Sequence, residues 1–237
     1  MDPPLEHQIS AAGSIRTAFA SLARPPFRGL LVLALFVSLV ANTLPQGTDD
    51  DVAVIASLVL IALSLYLQIA VTLAAADPNP TPSVDVWLKL AVARRCFWRY
   101  VAASVLVVLM VLAAGVVGVI IGAFVVGGIV ALADPAVVLE RKAPVAAISR
   151  SAELGKPARR QLIVIFGALI LVPGMSVQVG SFVWDLPTFF GPLWPVVTVI
   201  VLVLGMVGAI ALTRAFRTLG GEVLPLPPRE SRLQRDR

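Results

Sequence analysis

The segment from Glu140 to Arg160, ERKAPVAAISRSAELGKPARR, holds six of the nineteen Lys and Arg residues of the chain. The 40 residues before it, Tyr100 to Leu139, contain no base and one carboxylate, Asp134. The 53 residues after it, Gln161 to Thr213, also contain no base and one carboxylate, Asp185. Charges confined to a short segment between long apolar runs fit a chain that crosses a bilayer, where an unpaired cation in hydrocarbon costs several kcal/mol and is held at the edge instead. Composition agrees: 58% of the 237 residues are hydrophobic and 14% charged, against roughly 45–50% and 25% in soluble domains. The net charge of +5 is therefore read as topology and attraction to anionic lipid, with no nucleic acid implied.

The run Tyr100–Leu139 corresponds to roughly 60 Å of helix, twice the hydrocarbon thickness. Crossing once would put the bases after Glu140 outside, against the positive-inside rule. Crossing twice keeps them inside. The expectation is an all-α polytopic membrane protein with six transmembrane helices as three hairpins, at about 29–44, 52–76, 100–117, 120–139, 161–180 and 195–213. The third and fourth spans turn near Gly118 to Gly122. Residues 1–28 form a cytoplasmic leader with an interfacial helix over 5–24, in which Ile15, Phe19 and Leu22 face lipid and Ser10, Ser14, Thr17, Ser21 and Arg24 face water. Pro25-Pro26 breaks that helix. Pro45–Asp51 and Asp77–Ser83 are loops, and Asp85–Tyr100 is a short helix whose Trp87, Lys89, Trp98 and Tyr100 anchor at the interface. Pro144–Leu154 is a second surface helix, with Ser149, Arg150 and Glu153 polar and Val145, Ile148, Ala152 and Leu154 apolar; Gly155 and Pro157 end it. Pro173 kinks the fifth span, Ser181–Trp194 is an aromatic belt, and residues 214–237 are a basic flexible tail. All nineteen Lys and Arg then lie on the cytoplasmic side, with both termini, in the cell membrane.

Each inside-to-outside span follows a basic pair at i, i+4: Arg24 and Arg28, Arg95 and Arg99, Lys156 and Arg160. The pairs predict a lipid-headgroup clamp and an internal repeat of surface helix, clamp and hairpin, each cation attracted to anionic headgroups by roughly 1 kcal/mol. Chance placement at span edges is the rival reading. Inside the spans the polar groups are few. Gln68 is expected to bond a neighbouring helix. Asp134-Pro135 either restarts a helix, with Asp134 as N-cap and Pro135 at N1, or puts a carboxylate on a solute or ion path. Glu140, Arg150 and Glu153 form the best polar constellation, with Glu140 pairing Arg150 to pin the second surface helix. One histidine, His7, and one cysteine, Cys96, cannot supply a metal site or a His-paired nucleophile, and no phosphate-binding Gly-rich motif is present. No cofactor and no enzymatic activity are expected.

The stretch PAVVLERKAPVAAISRSAELGKPARRQLIVIFG resembles the membrane-domain family named after glycerophosphodiester phosphodiesterase. It carries an apolar span ending in Glu140, the pair Arg150-Ser151 in a helix with Leu154, then a basic stretch to Arg160 and another span. SIRTAFASLARPPFRGLLVLAL is similar to the start of that family. The resemblance implies the membrane fold, without the catalytic barrel or its activity. The expected function is a non-catalytic membrane module of the bacterial envelope, a lipid-facing scaffold or accessory subunit whose partners are the bilayer and its anionic headgroups. The competing expectation is a transporter or channel component for a small or lipid-like solute, and the surroundings of Asp134 separate the two. Topology reporters fused after Arg16 and after Arg150 are expected to report the same face of the membrane; opposite faces would exclude an even number of crossings between them.

Overall fold

The computed structural model describes residues 10–43, 50–77, 84–118, 121–173 and 194–224. Nine α-helices run through these residues, with no strand among them: α1 Ala11–Leu22, α2 Pro25–Thr43, α3 Asp50–Ala76, α4 Val84–Gly118, α5 Ile121–Val130, α6 Ala133–Leu139, α7 Pro144–Leu154, α8 Arg159–Phe166 and α9 Trp194–Thr218. A 3-10 turn over Lys156–Ala158 joins α7 to α8, and a π-turn over Gly167–Leu171 continues α8. Three stretches are long and apolar enough to cross a membrane: Lys89–Gly118, Ile121–Leu139 and Val199–Thr218. The bent pair Ala11–Leu22 and Phe27–Phe36 passes only when taken together, and Ile61–Ala76 is a shorter apolar helix. The six expected spans are therefore not all found by length and composition among the described residues: the run at 52–76 gives only the shorter apolar helix, and those at 29–44 and 161–180 extend beyond the description. Of the expected loop Pro45–Asp51, the turn Asp77–Ser83 and the aromatic belt Ser181–Trp194, residues 45–49, 78–83 and 181–193 lie outside the described residues, as do residues 5–9 with His7 and residues 225–237, whereas Asp50 and Asp51 begin α3 and Trp194 begins α9.

The helix ends follow from local chemistry. Ser10 caps α1, its hydroxyl accepting from Gly13 N–H at 3.3 Å. Pro25 then opens α2, a first-turn position where its missing N–H costs nothing, and the two helices meet at an 80° bend. Pro144 opens α7 in the same way and Gly155 closes it. The stretch Asp85–Tyr100 is not a separate helix. It continues into α4, because no Pro or Gly interrupts the 31 residues from Val84 to Ala114. The distortion expected at Pro173 sits earlier, where Val172 N–H bonds Gly167 O across the wide turn.

Beyond Gly118, α5 packs on α4. Gly122 makes this possible: a Cβ there would lie 2.1 Å from Ala114 O, whereas Gly115 faces Ala123. Farther along, α5 and α8 interlock through the same device. Phe166 fills the space above Gly127, Ile163 that above Gly128, and Phe124 that above Gly167. The short helix α6 is the centre of the core, with Ala133 and Pro135 to Leu139 all buried, and it packs on α3, α4, α7 and α9. Large apolar side chains on the outer faces of α2 to α5 are exposed, among them Phe36, Leu58, Leu112, Val117 and Ile121.

Three expected faces are corrected. In α1, Ser21, expected to face water, is buried beside Ala18. Ser21 turns inward because Arg214 Nη2 donates to its Oγ at 2.7 Å, joining α1 to α9. In α7, Ala147 and Ser151 are buried while Val145 is exposed, since small residues let this helix approach α6. Lys89 is no interfacial anchor: its side chain is 1% exposed and its Nζ lies 3.2 Å from Asp77 Oδ2. The tail does not begin at Arg214 either, because α9 runs to Thr218 and Leu224 N–H bonds Leu139 O at 3.1 Å. Gly128→Ala is expected to cost about 1–3 kcal/mol by overpacking against Ile163, measured by thermal unfolding in detergent. Gly205→Ala, which meets nothing within 4 Å, is expected to be neutral or stabilising.

Candidate functional site

The break between α5 and α6 interrupts the helical ladder, and in an apolar interior each backbone group it releases must find another partner. Ser151 of α7 serves two backbone groups at the break. Its Oγ accepts from Leu132 N–H at 3.0 Å and donates to Ile129 O at 2.7 Å. Leu132, not Asp134, is the N-cap residue of α6, and it offers no side-chain cap. The role foreseen for Asp134 thus passes to a serine from another helix, and the carboxylate turns elsewhere.

Asp134 Oδ2 accepts from Tyr100 Oη at 3.2 Å, and the same Oη lies 2.9 Å from Gln68 Oε1. One phenol on α4 therefore links the two polar side chains that the sequence singles out inside spans, one on α3 and one on α6. A single hydroxyl proton serves one acceptor at a time, so the two contacts share it. Tyr100 is buried and faces inward; an interfacial anchor was expected there, and Trp98 of that group stands exposed. Asp134 Oδ1 is buried with no hydrogen-bond partner among the described residues.

These groups line a cavity of about 240 Å³ between α3, α4, α6, α8 and α9, with Gln68, Thr72, Tyr100, Ser104 and Asp134 as its polar wall and Val107, Val108, Val130, Phe166 and Leu212 among its apolar one. A second hollow of about 320 Å³, reaching Ala34, Ser64 and Pro173, shares Gln68, Ile170 and Gly205 with it. Val107 lies about 12 Å along its helix from Arg99, and Gly205 about 14 Å from Arg214. The cavity therefore runs from the charged ends of these helices, where Tyr100 and Leu212 lie beside Arg99 and Arg214, into the bundle as far as Val107 and Gly205.

Glu140 sits at the mouth of the bundle, its side chain 6% exposed. Arg150 Nε lies 3.4 Å from Oε1, Lys142 Nζ 3.5 Å from Oε2, and Glu222 N–H donates to Oε1 at 3.1 Å. Glu140 thereby gathers α7 and the segment after α9. Glu153 is exposed and stands outside this group. The clamp residues Arg24, Arg28, Arg95, Arg99, Lys156 and Arg160 are all exposed, and Arg99 Nη1 donates to Arg141 O at 3.2 Å. Among the described residues no group of three His, Cys, Asp or Glu could hold a metal ion.

Tyr100 and Ser151 are the site residues that sequence reasoning missed as such. Tyr100 ends an aromatic and basic run that reads as interface, and Ser151 lies on a helix face that reads as half polar. Both matter through contacts distant in sequence. The one available signal was Asp134-Pro135 itself, since a broken helix in an apolar run requires an outside partner. Ser151→Ala removes both bonds to the break and is expected to cost about 1–3 kcal/mol, read from thermal unfolding in detergent. Ser149→Ala, on the exposed face, is expected to leave the midpoint unchanged. Comparison with protein-family models, with curated proteins and with solved structures finds no match, so the functional argument rests on the chain's own residues.

Proposed function

We propose that this chain is a multi-pass membrane protein of six spans in three hairpins, termini cytoplasmic, and that the Asp134 cavity is the binding site of a carrier or channel component. The reading is carried by one observation: the buried Asp134 Oδ1 has no partner among the described residues and borders a cavity. A carboxylate within an apolar span is costly and is kept where it binds or conducts something. The supporting geometry is a broken helix at the site and a wide turn in the facing helix, both common where membrane proteins bind solutes. With a hydrocarbon half-thickness of about 15 Å, the cavity floor, some 12–14 Å from the charged helix ends, lies near the bilayer centre.

The chemistry of the wall selects the solute. Asp134 accepts, Gln68 can donate or accept, the hydroxyl of Ser104 does either, and that of Thr72, which donates to Gln68 O at 3.0 Å, accepts. The rest is aliphatic or aromatic. A small solute bearing an amine or hydroxyl donor on an apolar body satisfies these groups. The volume is below the roughly 300–1,000 Å³ of pockets for drug-sized ligands, which restricts the solute to a small one. The exposed basic pairs favour a second role, membrane attachment of a scaffold through lipid headgroups, and the two are compatible.

Accessibility separates a solute path from a closed scaffold. In a Cys96→Ser background, Asp134→Cys is expected to react with a membrane-impermeant cationic thiosulfonate added on the cytoplasmic side. Ser64→Cys, in the second hollow, is expected to react from the outer side. Absence of reaction at both positions would leave a dry, closed bundle and remove the carrier reading.

A further inference from the structure

A second cavity lies at the charged end of α4, separate from the Asp134 site. About 220 Å³ in volume, it is enclosed by Val92, Arg95, Cys96, Arg99, Val137 and Arg141. Its floor is apolar and buried: Val92, Cys96 and Val137 are at most 6% exposed. Its rim carries three exposed guanidinium groups. We propose that this pocket binds a single phosphate group, as a phospholipid headgroup at the membrane edge or as free phosphate.

Three features support a built site over a chance gathering of cations. Arg95 and Arg99 lie one turn apart on the same face as Val92 and Cys96, so α4 aims both bases at the pocket over one apolar strip. Arg99 Nη1 donates to Arg141 O at 3.2 Å, which fixes one guanidinium across the rim. Arg141 has φ of +54°, the left-handed region that a residue with a long side chain seldom occupies, and this conformation sets it on the same rim. Strain of this kind persists where the surroundings impose it, and it clusters at ligand sites. Arg95 and Arg99, one turn apart, repel each other, and a doubly charged oxyanion between them relieves that repulsion. Arginine is the base suited to it, because its planar fork donates two parallel bonds to phosphate oxygens.

Cys96, the single cysteine of the chain, lies on the pocket floor and reports occupancy. The full chain, solubilised in a non-ionic detergent, is titrated separately with inorganic phosphate, dioctanoyl phosphatidic acid and dioctanoyl phosphatidylcholine. Binding is followed by native mass spectrometry, and alkylation of Cys96 by N-ethylmaleimide locates it. The expected result is one phosphate or one phosphatidic acid per chain, with slowed alkylation, and no such effect of phosphatidylcholine. Protection by phosphatidic acid alone identifies the lipid headgroup; equal protection by inorganic phosphate identifies the free anion. Arg95→Ala and Arg99→Ala are each expected to raise the half-saturating concentration at least tenfold, while Arg94→Ala, on the opposite groove with Trp98, leaves it unchanged. Both residues are exposed, so these variants carry the test if a triple variant with Arg141→Ala does not fold. No binding of either phosphate compound, or binding unaltered in both variants, overturns the proposal. The readout is independent of Asp134, so its failure leaves the carrier reading standing.

Discussion

The hydroxyl of Ser151 meets a demand that an apolar interior makes on any interrupted helix. Between Val130 and Ala133 the ladder stops, and water cannot supply the missing partners. One side chain with a donor and an acceptor bridges the gap, bonding Ile129 O and Leu132 N–H. Because that side chain belongs to α7, the bridge also seats the polar helix against the bundle, where Glu140 holds it from the other side through Arg150. The break in turn frees Asp134 from capping and lets its carboxylate face Tyr100 and the cavity. Surface helix, broken helix and polar pocket thus share one support.

Small residues provide the remaining tolerance. Hydrophobic burial gives little preference for one helix partner over another when lipid is as apolar as the protein, so close contact has to supply it. Gly122 lets α5 approach the backbone of α4, and Gly127, Gly128 and Gly167 admit the rings and branches of the opposing helix. The two phenylalanines, each seated over the other helix's glycine, set the register of α5 on α8. That register carries Phe166 into the wall of the Asp134 cavity.

Much of the helical framework was legible in the sequence because its ends are chemically marked. Pro144 and Gly155 delimit α7, Pro25 opens α2 beside a bend, and Gly122 marks the close approach of α5 to α4. Hydropathy fixes where helices run but is nearly silent on which side of each faces in. Ser21 and Lys89 read as solvent groups and are buried, since each meets a partner distant in sequence or beyond a turn, Arg214 and Asp77. Conversely Ala147 and Ser151 gave no sign of forming the inner face of α7, and they are buried because alanine and serine allow closer packing. The link from Gln68 through Tyr100 to Asp134 was invisible for the same reason: it joins three helices, and no periodicity within one of them encodes it.

The bond between Arg214 and Ser21 spans 193 positions of the chain, and this sets an order in time. During synthesis at about 5–20 residues per second, the serine emerges roughly 10 to 40 s before the arginine that holds it. The bond from α1 to α9 therefore forms only after α9 has been delivered. A chain cut short before α9 lacks this fastening, and among the described residues α1 is then held by α2 and α8.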